Sequence, residues 1–128
     1  LMGSLVALNT IITNNLNPNI SSFFFCTLLF YIFFEVFFSF FRKLTQNKSP
    51  IYPDEKHLHM LSYYKISSYY GREKGNFINS IFINLVYLIL ITPGLYFIES
   101  PNLSRYWFFT LLILYVITYS RLYRLTKN

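Results

Sequence analysis

Cysteine, acidic side chains and glycine are scarce in this chain of 128 residues, which holds one Cys, five Asp and Glu together, and four Gly. A lone Cys26 excludes an intrachain disulfide framework. Charged residues amount to 12%, where a soluble domain carries about a quarter. In their place stand 15 Phe, 12 Tyr and a hydrophobic fraction of 54%. Disorder requires a chain poor in apolar residues and is excluded as well. The length suffices for one domain, and the composition makes a lipid bilayer its main solvent.

Eleven Lys and Arg give a net charge of +6, and their placement tells what the charge is for. Arg42, Lys43, Lys48, Lys56, Lys65, Arg72 and Lys74 lie between two apolar runs, while Arg121, Arg124 and Lys127 close the chain. Basic residues gathered in alternate loops follow the positive-inside rule, which retains them on the cytoplasmic face. No groove-reading motif accompanies them, so nucleic acid is not expected as a partner.

The apolar runs predict an all-α, multi-pass membrane helix bundle. Residues 23–41 and 80–98 approach the roughly 20 residues that a spanning helix needs, and residues 106–123 form a third segment whose basic end snorkels to the interface. Residues 1–13 are apolar but short, which predicts a first segment lacking its beginning. The reading is therefore four membrane segments, the first truncated, with both termini and a loop at 42–79 in the cytoplasm. The chain opens on Leu1 without a signal-peptide n-region, as a piece of a larger protein does.

Two polar features interrupt this pattern. Glu35 falls inside the second segment, where a carboxylate is costly and faces a bundle interior or a water-filled cavity. Ser39 and Arg42 follow at i+4 and i+7, making one polar face that is either a structural ion-pair stripe or the lining of a site. The second feature is the stretch around Lys48, Asp54, His57 and His59, stiffened by Pro50 and Pro53. His57 and His59 at i, i+2 align on extended backbone and diverge on a helix. With Asp54 they lack a third firm ligand, so no metal site is expected from these residues. Imidazole and ammonium groups beside a membrane instead suit phosphate oxygens, the alternative being a solvated basic loop.

The string from Glu35 to Lys43, followed by Lys48-Ser49-Pro50, Pro53-Asp54 and His57-Leu58-His59, resembles the C-terminal part of the bacterial polyprenyl-phosphate N-acetylhexosamine-1-phosphate transferases, the group 4 glycosyl transferases. Gly3, Ala7 and residues 76–80 also look like family positions. The resemblance implies an enzyme of the bacterial cytoplasmic membrane that moves a sugar 1-phosphate from a UDP-sugar to a polyprenyl phosphate in cell-wall or surface-glycan synthesis. It implies that His57, His59 and Asp54, flanked by Lys48, help to bind the nucleotide sugar, and that Glu35 matches an acidic position. Mg²⁺ is the family's metal, held by aspartate motifs that lie upstream of everything in this chain. This piece alone is then expected to be inactive, with a missing N-terminal half as a partner. Met60 stands where the family usually has a third histidine. Two other classes compete: a small four-helix proton-coupled transporter built around Glu35, and a membrane interaction subunit.

Overall fold

The computed structural model describes residues 2–47, 49–52 and 55–127. Among the described residues the order is α1 (Met2–Leu16), α2 (Ser22–Leu28), α3 (Phe30–Thr45), α4 (Leu58–Tyr70), α5 (Arg72–Tyr96) and α6 (Pro101–Lys127), with no strand. Two helices are long and apolar enough to cross a membrane, α5 and α6, and α2 with α3 makes a third if the bent pair counts as one span.

Apolar side chains cover the outside of the bundle. Phe33, Val36, Phe37 and Phe40 on α3, and Leu85, Leu88 and Ile89 on α5, are exposed. Against lipid such exposure costs nothing, so the helices are held by close packing and hydrogen bonds instead of by apolar burial. The packed centre joins α3, α4 and α6 through Phe30, Leu61, Leu111, Tyr115 and Tyr119. Phe34 and Phe38 meet Tyr115 edge to face at centroid distances of 4.9 and 5.5 Å, a geometry that sets ring edge against ring face.

Two elements differ from the sequence expectation. The second segment is one continuous apolar run, yet it bends by 72° between α2 and α3. Neither Pro nor Gly stands there; instead the Tyr87 hydroxyl donates to the Leu28 carbonyl. A side chain entering the backbone ladder is one of the recognised causes of a sharp kink. The expected loop at 42–79 contains α4 and the first turns of α5. Its sequence 58–70 is mixed Leu, Tyr, Ser and Lys with weak amphipathic periodicity, so the 3.6-residue signal that reveals a helix is faint. Pro93 lies inside α5 without ending it, in keeping with the single segment read over 80–98, and Trp107 Nε1 braces the preceding turn by donating to the Leu90 carbonyl at 3.0 Å.

Small residues set the closest approaches. A Cβ at Gly75 would stand 2.5 Å from Ser67 Oγ and 2.8 Å from Ser67 Cα. The hairpin of α4 and α5 therefore closes only on glycine at that position. Gly71, between the two helices, has φ +80°, a left-handed value that favours glycine.

Candidate functional site

The bend at Leu29 directs α3 so that its polar face, Glu35, Ser39 and Arg42, points into the protein, and all three are buried. Arg42 donates to Ser39 Oγ at 3.2 Å, and its guanidinium lies 6.0 Å from the Tyr119 ring centre. The i, i+4, i+7 face read from the sequence is thus one continuous internal stripe.

Glu35 is the hub. Its Oε1 accepts the Leu58 backbone N–H at 2.8 Å and lies 3.0 Å from His57 Nδ1. Its Oε2 accepts the Tyr115 hydroxyl at 2.6 Å. Leu58 is the first residue of α4, and the preceding His57 offers no side-chain cap to the helix. The N–H that a new helix leaves without an internal acceptor is therefore satisfied by a carboxylate from α3, 23 positions earlier in the chain. The helix terminus, the His57 ring and the Tyr115 hydroxyl give the carboxylate its polar partners, which is how a buried carboxylate is tolerated.

His57 and His59 come together. His57 has extended backbone at φ −77°, ψ 151°, and His59 lies one residue inside α4, and their rings stack at 5.7 Å with 14° between planes. Straddling the helix start resolves the strand-or-helix alternative: the extended half aligns the rings. Of the other expected binding residues, Lys48 and Asp54 lie outside the described residues. Sequence reasoning gave no role to Asn79, within the 76–80 stretch, which is buried, donates to the His59 carbonyl at 3.1 Å and accepts the Ser62 hydroxyl. It missed Tyr115 as well. Both come from distant helices, and neither has a local spacing that would reveal it.

Beside the histidines lies an open groove of about 660 Å³ between α4 and α5, lined by His59, Tyr63, Arg72, Asn76 and Asn84. Its floor includes Tyr31 and Ile83, which also line an apolar slot of about 100 Å³ running between α3, α5 and α6. A polar groove and an apolar slot therefore share one wall.

No group of three His, Cys, Asp or Glu side chains able to hold a metal ion occurs among the described residues. Both oxygens of Glu35 already accept hydrogen bonds from Leu58 and Tyr115. The described residues do not fit a bound Mg²⁺. Compared with family models, with curated proteins and with solved structures, the chain matches none.

Proposed function

We propose that the chain is the C-terminal, substrate-recognition part of a membrane glycosyltransferase that transfers a sugar 1-phosphate from a UDP-N-acetylhexosamine to a polyprenyl phosphate. In this reading four membrane segments hold the chain in a bacterial cytoplasmic membrane with both termini and α4 on the cytoplasmic side. The observation that carries it is the shared wall at Tyr31: a transferase joining a water-soluble donor to a lipid acceptor needs a polar groove that meets an apolar slot, and these two do.

The geometry supports the following roles in this reading. Glu35 fixes the start of α4 and so holds His57 against His59, which lines the groove. Imidazole N–H groups and the Arg72 guanidinium offer donors to the phosphate and sugar oxygens of the nucleotide sugar. Asn79 ties the His59 carbonyl to α5, and Asn76 and Asn84 present amides to sugar hydroxyls across the groove. The reading as a proton-coupled exchanger draws less support, because the donors on Glu35 make it an anchor between helices and not an exchanging carboxylate.

The test is to express the open reading frame that contains this chain from its natural start and to follow UMP release from UDP-N-acetylhexosamines with polyprenyl phosphate and Mg²⁺. UMP release that needs both substrates, with KM for the nucleotide sugar raised or turnover abolished in His57→Ala, is the expected result. No release with any UDP-N-acetylhexosamine, or unchanged kinetics in His57→Ala, removes the reading.

A further inference from the structure

A second cleft, of about 420 Å³, opens between the C-terminal end of α3 and the last third of α6. Its lining is graded. Phe38 packs on Tyr119 with ring centroids 4.8 Å apart, and from that pair the lining runs along the two helices through Phe41 and Tyr123 to Gln46 on α3 and Arg124 on α6. Arg42 closes the inner wall, buried against Ser39 and the Tyr119 ring, while Arg124 is exposed at the mouth. Thr45 and Ser120 add hydroxyls between them.

Charge among the described residues that line this cleft has one sign. Among the described residues no Asp or Glu lines it, none occurs in the chain after Glu99, and Arg121 and Lys127 flank Arg124 in sequence. The polar end also coincides with the ends of two apolar stretches, that of α3 at Phe41 and that of α6 at Tyr119, where a bilayer passes from hydrocarbon to headgroup. An apolar end followed by aromatic rings, hydroxyls and guanidinium groups reproduces, in order, the acyl chain, ester region and phosphate of a phospholipid. Basic pockets between membrane helices suit anionic headgroups, and each Lys or Arg at an anionic surface favours binding by about 1 kcal/mol.

We propose that this cleft is a binding site for an anionic phospholipid, with its phosphate at Arg124 and Gln46 and one acyl chain along Phe38 and Phe41. Bound there, the lipid bridges α3 to α6 on the side of Arg42 away from the histidine groove. The proposal does not depend on the transferase reading.

The test uses the full chain in bilayers with Trp107→Phe and Phe41→Trp, so that one tryptophan reports on the cleft. Quenching by phosphatidylglycerol brominated on its acyl chains is compared with quenching by brominated phosphatidylcholine. The relative binding constant is expected to favour the anionic lipid by fivefold or more, the fold-change that ~1 kcal/mol represents. Arg124→Gln is expected to remove the preference, while Arg121→Gln, outside the lining, leaves it. Equal quenching by the two lipids overturns the proposal. So does an equal loss in Arg121→Gln, which makes the attraction a diffuse surface charge, or abolition by millimolar inorganic phosphate, which makes the cleft a free-anion site. Native mass spectrometry of the unaltered chain and of Arg124→Gln after exchange into mixed lipids ranks the same lipids without the introduced tryptophan.

Discussion

The carboxylate of Glu35 caps α4 from another helix, its Oε1 2.8 Å from the Leu58 N–H and 3.0 Å from His57 Nδ1. One acidic side chain thereby couples the inside of an apolar helix to the placement of both histidines. Glu35→Gln keeps an acceptor for Leu58, whereas Glu35→Ala leaves both the amide and the Tyr115 hydroxyl without one. Such orphaned buried groups cost roughly 1–3 kcal/mol. Glu35→Ala is expected to unfold at lower temperature in detergent and to lose amide-exchange protection over residues 58–61, with Glu35→Gln intermediate. Wild-type protection in the alanine variant would show that α4 is held by other contacts.

Tyr115→Phe isolates one arm of that hub. The hydroxyl donates to Glu35 at 2.6 Å, while the ring keeps its packing against Phe34 and Phe38. Hydrogen bonds between membrane helices average about 0.6 kcal/mol. The phenylalanine variant is therefore expected to lose less stability than Glu35→Ala. A double-mutant cycle between the two positions checks this, since a coupling near zero means that the two side chains do not share a bond.

Much of this architecture was legible in the sequence, and what escaped did so for physical reasons. Two of the apolar runs, and a third if α2 and α3 count as one span, could be read because about 20 residues with at most one charge have few alternatives to a membrane helix. The run 23–41 concealed its bend, because the cause is the Tyr87 hydroxyl, 59 positions from the Leu28 carbonyl it meets. The buried face of Glu35, Ser39 and Arg42 could be read from helical spacing, since i, i+4 and i+7 share a side whatever packs against it. What packs against it could not: Tyr115 is 80 residues away from Glu35, and nothing near either residue encodes the other. Trp107, which lies in the third apolar run, is half-buried against α5 with its N–H on Leu90. Its one polar atom is satisfied by backbone as well as it would be by water.

Gly75 should tolerate no side chain. A Cβ there meets the Ser67 backbone Cα at 2.8 Å as well as its Oγ at 2.5 Å, so rotating the serine away does not relieve the clash. Gly75→Ala is expected to lower stability by about 1–3 kcal/mol, as overpacking of a close contact does. Adding Ser67→Gly is not expected to restore it, because the Cα remains. Full recovery of the melting temperature in that double variant would show that the hydroxyl alone sets the spacing of α4 and α5.

Asn79 makes a separate demand on the same hairpin. Its amide spans Ser62 and the His59 carbonyl from a buried position. Asn79→Leu, close in size and without polar atoms, removes both bonds and leaves the Ser62 hydroxyl only its own bond to the His59 carbonyl at 3.2 Å, and is expected to cost roughly 1 kcal/mol. Because His59 borders the groove, exchange protection near residue 62 is expected to fall while that in α6 is unchanged. Uniform loss across all helices would instead mark Asn79 as part of the global core.

Tyr64 carries a pH signature. Its hydroxyl donates to Glu55 Oε2 at 2.5 Å, and that hydrogen bond, followed by lesser desolvation and the negative charges nearby, pushes the phenol above its usual range. The raised value belongs to the folded state, so the tie favours folding below the ordinary tyrosine pKa near 10 and disappears as pH climbs through the raised one. The difference in absorbance at 295 nm between the wild-type chain and Tyr64→Phe is expected to titrate later than a free tyrosine. In a Glu55→Ala background the same difference should move back toward pH 10, since the acceptor and its charge leave together. A Tyr64 transition indifferent to Glu55→Ala would mean that the phenol takes its shift from elsewhere and that the residues just before α4 are not held to it by this bond.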